Sequence, residues 1–443
     1  YFNFLPAFYP KDFMSFTNNL PAAGANKFFY GWLIALVAGL GLASSVAIFI
    51  PATIGLLIAP LEAEFHWTAK EMFLAPTFAT TATILIAPFM GAIVDRFGPR
   101  RVIAISFAIE AVIMASFRFL DDSLWLFYAR YAGFALLATG TTHVAFASLV
   151  SRWFERRRGL ALGIALAGFG LGGVFWSLVA QALFVRLGWR DAFPAMSCIV
   201  LLVTLPIVLL VVRDTPQSIG LQVDGDAPSS KADGSVGQGI VDKVVLTGLS
   251  LREAARTQQY WLMVVTFSLV GLSVQSVMLH MVPYLTSRGE ARDTAVMIQA
   301  SLWAVLVVGR VSTGWLMDRF FAPRVGFAFL LLPIVGIALL ASGASGVVAL
   351  LSAMMVGLAA GAEVDVVAYL TGRYFGLKHY SAIYATFFSA YAFGSGVGPA
   401  ATAWAVERAG GYTPVLWTIS GVMVIAAALL LKFPRFPKGS PSH

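Results

Sequence analysis

Twelve apolar runs leave this chain few ways to fold. They lie near residues 31–58, 73–94, 102–120, 124–149, 159–185, 191–212, 260–285, 294–317, 325–343, 347–371, 380–405 and 413–431. Most run to about 20 residues, the length needed to cross a hydrocarbon core of about 30 Å. Only 12% of the 443 residues are charged and 59% are hydrophobic. A water-soluble domain carries about 25% charged residues, so this chain cannot dress a water-facing surface. In lipid each segment must satisfy its own backbone hydrogen bonds, and the runs are therefore predicted to be helices in spite of their Gly, Val and Ile.

The charge of +8 is a matter of topology rather than of a nucleic-acid partner. With the N-terminus on the cytoplasmic side, 21 Lys and Arg fall on that side and 7 outside, leaving Arg130 and Arg310 within spans. That asymmetry follows the positive-inside rule and places both termini in the cytoplasm. Residues 1–27 are aromatic, Pro-rich and weakly charged, and are expected to form an interfacial segment rather than a cleaved signal peptide. The single cysteine, Cys198, excludes disulfides and cysteine-ligated metal within one chain. No cofactor or metal is expected, and no nucleophile–base constellation suggests an enzyme.

The apolar runs also repeat. Gly91-Ala-Ile-Val-Asp95-Arg96-Phe97-Gly98-Pro99-Arg100 is answered 223 positions later by Gly314-Trp-Leu-Met-Asp318-Arg319-Phe320-Phe-Ala-Pro-Arg324. Phe154…Arg158-Gly159-Leu160-Ala161 is answered by Phe375…His379-Tyr380-Ser381-Ala382, and Gly168-Phe-Gly170-Leu-Gly172 by Gly394-Ser-Gly396-Val-Gly398. The chain reads as two related halves, 28–212 and 259–432, joined by a polar linker, 213–258, and ending in a tail, 433–443. Within the linker, Leu249–Gln259 reads as a short helix against the membrane. Two halves of like orientation imply a site between them near the midplane, the plan of a transporter. The glycine runs are expected to let helices approach closely. Asp95, Arg96, Arg100, Asp318 and Arg319 are expected to act as a conformational latch. In it each carboxylate pairs with nearby arginines and with the N-terminus of a neighbouring helix. A purely structural turn is the other reading.

A charge near the bilayer centre costs about 3 kcal/mol, so it faces a partner or a cavity. Glu110, Arg130, His143, His280, Arg310, Glu363 and Asp365 lie well inside spans. Arg310, Glu363 and Asp365 correspond in the first half to Ala87, Gly140 and Thr142, so the fold itself does not require them. Arg310 can offer a carboxylate two parallel hydrogen bonds and is the expected anchor of an organic anion, unless it is permanently paired as scaffold. Arrival of the anion would free a carboxylate to take a proton. Glu363 is expected on the cavity side as proton carrier and Asp365 against neighbouring helices; both stay candidates for proton coupling. His280 and His143 are candidates for substrate binding or proton relay. Tyr284, Trp303, Tyr369, Tyr384, Phe388 and Tyr391 are candidates for an aromatic wall. Glu110 and Arg130 are expected to pair with each other.

The paired turns, Trp153-Phe154-Glu-Arg-Arg-Arg158-Gly159-Leu160-Ala161 and Arg373-Tyr374-Phe375-Gly376-Leu377 resemble the major facilitator superfamily over residues 28–432. Within it the chain is most similar to bacterial relatives of the monocarboxylate transporters and the oxalate/formate exchangers. The resemblance implies an all-α membrane protein of twelve transmembrane helices in two pseudo-symmetric six-helix bundles. It also implies spans one, four, seven and ten lining the cavity, the bacterial inner membrane as location, and function as a monomer in the lipid bilayer. Arg310 stands where monocarboxylate transporters carry an arginine on the substrate carboxylate, but Leu306 replaces their Asp one turn earlier. No second cation lies between Tyr380 and Ala405, as an oxalate exchanger would have, and residues 31–58 contain no acid. The expected function is symport of a small monocarboxylate with a proton by alternating access. Anion exchange and, more distantly, proton-coupled drug export are the alternatives.

Overall fold

The computed structural model describes residues 29–72, 74–225 and 247–436, and the expected N-terminal segment 1–27 lies outside them. Ten helices among the described residues are long and apolar enough to cross a membrane. One of them, Arg158–Val211, holds two crossings that bend at Gly188, where φ of 74° suits a residue without a side chain. Tyr380–Ala409, richer in Gly, Ser and Tyr, is the twelfth crossing. The protein is an all-α membrane protein of twelve spans in two six-helix bundles.

Spans one to four are Tyr30–Ala43 with Val46–Phe65, Leu74–Phe97, Pro99–Ser116, and Leu124–Ala138 with His143–Trp153. Spans five and six share Arg158–Val211. Spans seven to twelve are Gln258–Ser287, Arg292–Met317, Ala322–Ala341, Gly346–Phe375, Tyr380–Ala409 and Tyr412–Leu431. Large apolar side chains such as Leu85, Phe89, Val112, Val185 and Leu202 point outward, as a lipid-facing belt requires.

The expected helix over 249–259 is only one turn, Leu251–Ala254, closed by a capping box between Ser250 and Glu253. Thr257 then caps a new helix by accepting from the Tyr260 amide, which is why span seven starts at Gln258 instead of continuing that turn. Both flanks of the linker are fastened to the loops that lead into spans five and eleven. Asp224 accepts from the Glu155 and Arg156 amides, the latter at 2.8 Å, while Trp153 donates to the Arg213 carbonyl at 2.9 Å. On the other flank Leu249 donates to the Phe375 carbonyl at 2.8 Å and Leu377 donates to Thr247 at 3.0 Å.

Candidate functional site

Gly357, Gly361 and Asp365 are four residues apart and share one stripe of span ten. That stripe faces span eight. A Cβ on Gly357 or Gly361 would run into the carbonyls of Leu302 and Leu306, so only glycine lets the two backbones come this close. The next residue along the stripe, Asp365, therefore meets Arg310 of span eight. Arg310 Nη1 donates to Asp365 Oδ1 at 2.9 Å, with the residues 4% and 0% exposed. Arg310 Nε and Asp365 Oδ2 make no further bond among the described residues.

Glu363, two residues earlier, is turned about 200° round the helix and faces span eleven. Its Oε1 accepts from the Tyr391 hydroxyl, and its Oε2 makes no bond among the described residues. The first half contributes His143, the first residue of the second piece of span four. Its ring lies 4.8 Å from that of Phe169 in span five and 5.5 Å from that of Phe388 in span eleven. Both ring nitrogens lack a partner among the described residues, and Arg310 is near enough for its charge to act on the ring. Arg310, Asp365, Glu363, Tyr391, Phe388 and His143 thus come together where the two halves meet.

Other expected members lie elsewhere. His280 has both ring nitrogens engaged inside the second half, 3.2 Å from the Tyr412 hydroxyl and 3.0 Å from the Pro399 carbonyl. Nε2 must donate to that carbonyl, which leaves Nδ1 to accept from Tyr412. Tyr284 donates to the Leu340 carbonyl, holding span seven to span nine. Tyr369 sits near the linker end, its ring under Arg373 at 5.7 Å. Trp303 is half exposed on the outer surface, whereas Tyr384 belongs with the site: it stacks on Tyr380, lies 6.4 Å from Phe388 and is near enough to Arg310 and Asp365 for their charges to act on it. Glu110 and Arg130 do not pair: Arg130 Nη2 donates to the Phe119 carbonyl at 2.7 Å, and Glu110 is buried with no cation beside it among the described residues.

The two repeated turns bond across the halves at the linker end. Asp95 of span two accepts from the Ser381 and Ala382 amides at 3.0 and 2.9 Å, at the start of span eleven. Asp318, just past span eight, accepts from the Gly159 and Leu160 amides at 2.7 and 2.8 Å, at the start of span five. Each carboxylate therefore caps a helix of the other half, where free amides and the helix dipole favour an anion. Gly159 and Gly314 face each other so closely that neither tolerates a Cβ. Burial pushes the Asp318 carboxyl up to about 6, against the pull of the two amides and of Arg158.

The expected arginine partners do not take part. Arg96 lies over Phe97, Arg319 lies over Trp315 at 3.8 Å, and Arg100 donates to the Leu209 carbonyl. The cations acting on the two carboxylates are instead Arg152 on Asp95 and Arg158 on Asp318. The amide donors lie within segments that the repeat pairs, but one position out of its register, since Gly159-Leu160 is answered by Tyr380-Ser381 and the bonded amides are those of Ser381 and Ala382.

Residues 31–399 match the family model described as Major Facilitator Superfamily. The chain is 23% identical to monocarboxylate transporter 12 of Mus musculus over 440 residues, covering 92% of this chain and 86% of that relative. It is 23% identical to monocarboxylate transporter 11 of the same species over 317 residues, covering 71% of this chain and 65% of the relative, just under two thirds of its length. An uncharacterized 38 kDa protein in the 23S RNA operon of Thermoproteus tenax is 26% identical over 357 residues, covering 80% and 83%. Among solved structures, a variant of the E. coli fucose:proton symporter FucP matches with a TM-score of 0.66 at 14% identity, covering 91% of this chain and 99% of that one. At that identity the likeness is one of fold.

Proposed function

This chain belongs to the Major Facilitator Superfamily, and from that premise we propose that it carries a small organic anion, a monocarboxylate, together with a proton by alternating access. The buried Arg310–Asp365 pair carries the reading. A guanidinium with an unspent Nε can offer an incoming carboxylate a second donor beside the one it gives Asp365. As the anion takes over Arg310, Asp365 is left as a buried carboxylate without its cation, a state relieved by protonation. The carboxylate in direct contact with Arg310 is Asp365, so it replaces Glu363 as the favoured proton carrier, and Glu363 is assigned to holding Tyr391. His143, Phe388 and Tyr391 form the rest of the substrate's surroundings. The monocarboxylate transporters among the relatives support the substrate class.

Asp95 and Asp318 act as latches that hold the linker end shut in this state and release it in the other. The excess of Lys and Arg at that end supports a cytoplasmic orientation for it, with both termini inside, and the location proposed is a bacterial inner membrane. The protein works as a monomer, since each half supplies part of the site.

The test is uptake of labelled monocarboxylates and dicarboxylates into proteoliposomes, with and without an inward proton gradient. Accumulation of a monocarboxylate strengthened by the gradient is the expected result. Exchange against preloaded acid that ignores the gradient would make the protein an anion antiporter. No response to any carboxylate would overturn the anion reading.

A further inference from the structure

Two helices of the first half are interrupted at the same place. Span one stops at Ala43 and restarts at Val46, leaving Ser44 and Ser45 between. Span four stops at Ala138, passes through the tight turn Thr139–Thr141 and an extended Thr142, and restarts at His143. The two gaps touch, for the Val46 amide donates to Thr141 Oγ1 at 3.2 Å. Gly140 lets span three pack against the second gap, since a Cβ there would strike the Ser106 hydroxyl.

One turn beyond Ser106, span three brings Glu110 to the gaps. It is 0% exposed and lies beside the Thr141 hydroxyl and the Val46 amide. Both of those donors are turned elsewhere, the Val46 amide to Thr141 Oγ1 and the Thr141 hydroxyl to the Ala138 carbonyl at 2.8 Å, so neither Glu110 oxygen has a full hydrogen bond among the described residues, and no cation is among the described groups acting on it. The hydroxyl of Ser45, also fully buried, has no partner among the described residues. A buried carboxylate is stable only when a cation or a proton accompanies it. Interrupted helices inside a membrane protein are tolerated where they are buried in protein or line a cavity, and many transporters bind ions at such breaks. The side-chain oxygens at the gaps are hard donors: the Glu110 carboxylate and the Ser45 and Thr141 hydroxyls. One negative charge among neutral oxygens balances one positive charge, whereas a divalent ion would leave an excess buried.

We propose that Glu110, Ser45 and Thr141, with the gaps of spans one and four, bind a monovalent alkali cation such as sodium. The proposal builds on the transporter reading and adds an ion to it. Thr141 stands two residues before His143, whose ring rests on Phe388 of the other half beside Arg310. A cation that orders the gap therefore orders the first half's contribution to the anion site. That gives the ion a route to couple with the substrate.

The experiment is a thermal unfolding titration of the purified full-length chain with NaCl against choline chloride, at constant ionic strength, fixed neutral pH and no organic anion. Sodium should raise the midpoint saturably in the wild type and not in Glu110→Gln. Ser45→Ala and Thr141→Val should fold and need about tenfold more sodium, the loss of one ligand. Arg310→Ala should keep the sodium response, so failure of the anion site and failure of this site are separable. No advantage of sodium over choline in the wild type would overturn the proposal, as would a response retained in Glu110→Gln. A midpoint that depends on pH through Glu110 but ignores sodium would also overturn it and leave a protonation site in its place.

Discussion

Arg310 Nη1 lies 2.9 Å from Asp365 Oδ1, and the pair joins spans eight and ten within the second half alone. At the corresponding places the first half has Ala87 and Thr142. Thr142 is also where span four loses its helical course. The halves share a plan, yet at these two positions one supplies an ion pair and the other a small residue and a broken helix. That asymmetry is what a site for a charged solute between two bundles requires, because pure repetition would place two arginines face to face.

Removing the arginine tests the pair directly. Arg310→Ala strands Asp365 without a cation, which costs about 3–5 kcal/mol when a buried pair is broken from one side. The double variant Arg310→Ala/Asp365→Asn should recover most of that loss in a thermal unfolding measurement. Anion binding should be absent from both variants. Arg310→Lys should also lose most affinity, since a point charge does not reproduce the guanidinium fork. Wild-type binding by Arg310→Ala would remove it from the site.

The two carboxylates of span ten are separable by the driving force. Asp365→Asn should abolish accumulation driven by a proton gradient while sparing exchange of labelled for unlabelled anion. Glu363→Gln should keep the response to the gradient, because its oxygen is held by Tyr391 rather than by Arg310. The reverse pattern in proteoliposome uptake would return the proton to Glu363.

The sequence leaves open which carboxylate meets Arg310, and the structure answers it through the stripe of Gly357, Gly361 and Asp365 that packs on span eight. A charge within an apolar run is conspicuous, and so is a turn repeated at a fixed offset, and for that reason the twelve spans, Arg310 and the Asp95/Asp318 pair could be found in one sequence. His280 could not be judged that way, because its partners Tyr412 and Pro399 come from two other helices. The solitude of Glu110 and the gaps in spans one and four were equally hidden. Ser and Thr can bond back to their own helix or stand at its break, and local sequence does not tell the two apart.

The glycine stripe also makes a prediction. In Gly361→Ala the added methyl meets the Leu306 carbonyl, forcing span ten away from span eight. Overpacking of this kind costs about 1–3 kcal/mol. The displacement should lengthen the Arg310–Asp365 contact, so anion affinity should fall together with the thermal midpoint. Gly55→Ala, where a Cβ meets nothing within 4 Å, should change neither. Equal behaviour of the two variants would show that close approach of spans eight and ten is not what positions the pair.

The latch at Asp318 should respond to pH with a definite sign. Burial in the closed linker end lifts its carboxyl from the ordinary 3.8 to about 6, with Asp224 nearby adding to the rise and Arg158 opposing it. Opening exposes the carboxyl and returns it toward its ordinary value. Closing therefore takes up a proton between those two values, and the closed state gains as pH falls through about 6, the gain being complete below about 4. Above about 6 the carboxylate is ionised in both states and the closed one bears the whole cost of burying it. Spin labels at Glu155→Cys and Phe320→Cys, in a Cys198→Ser background, report the gap between the halves at this end. Lowering the pH from about 7 to about 5 should shift their distances toward the short population in the parent protein. Asp318→Asn carries no titratable group there and should lose the part of the shift that centres near 6. If the parent shows no shift, or Asp318→Asn shows the same one, Asp318 is a fixed cap and not a latch that feels pH.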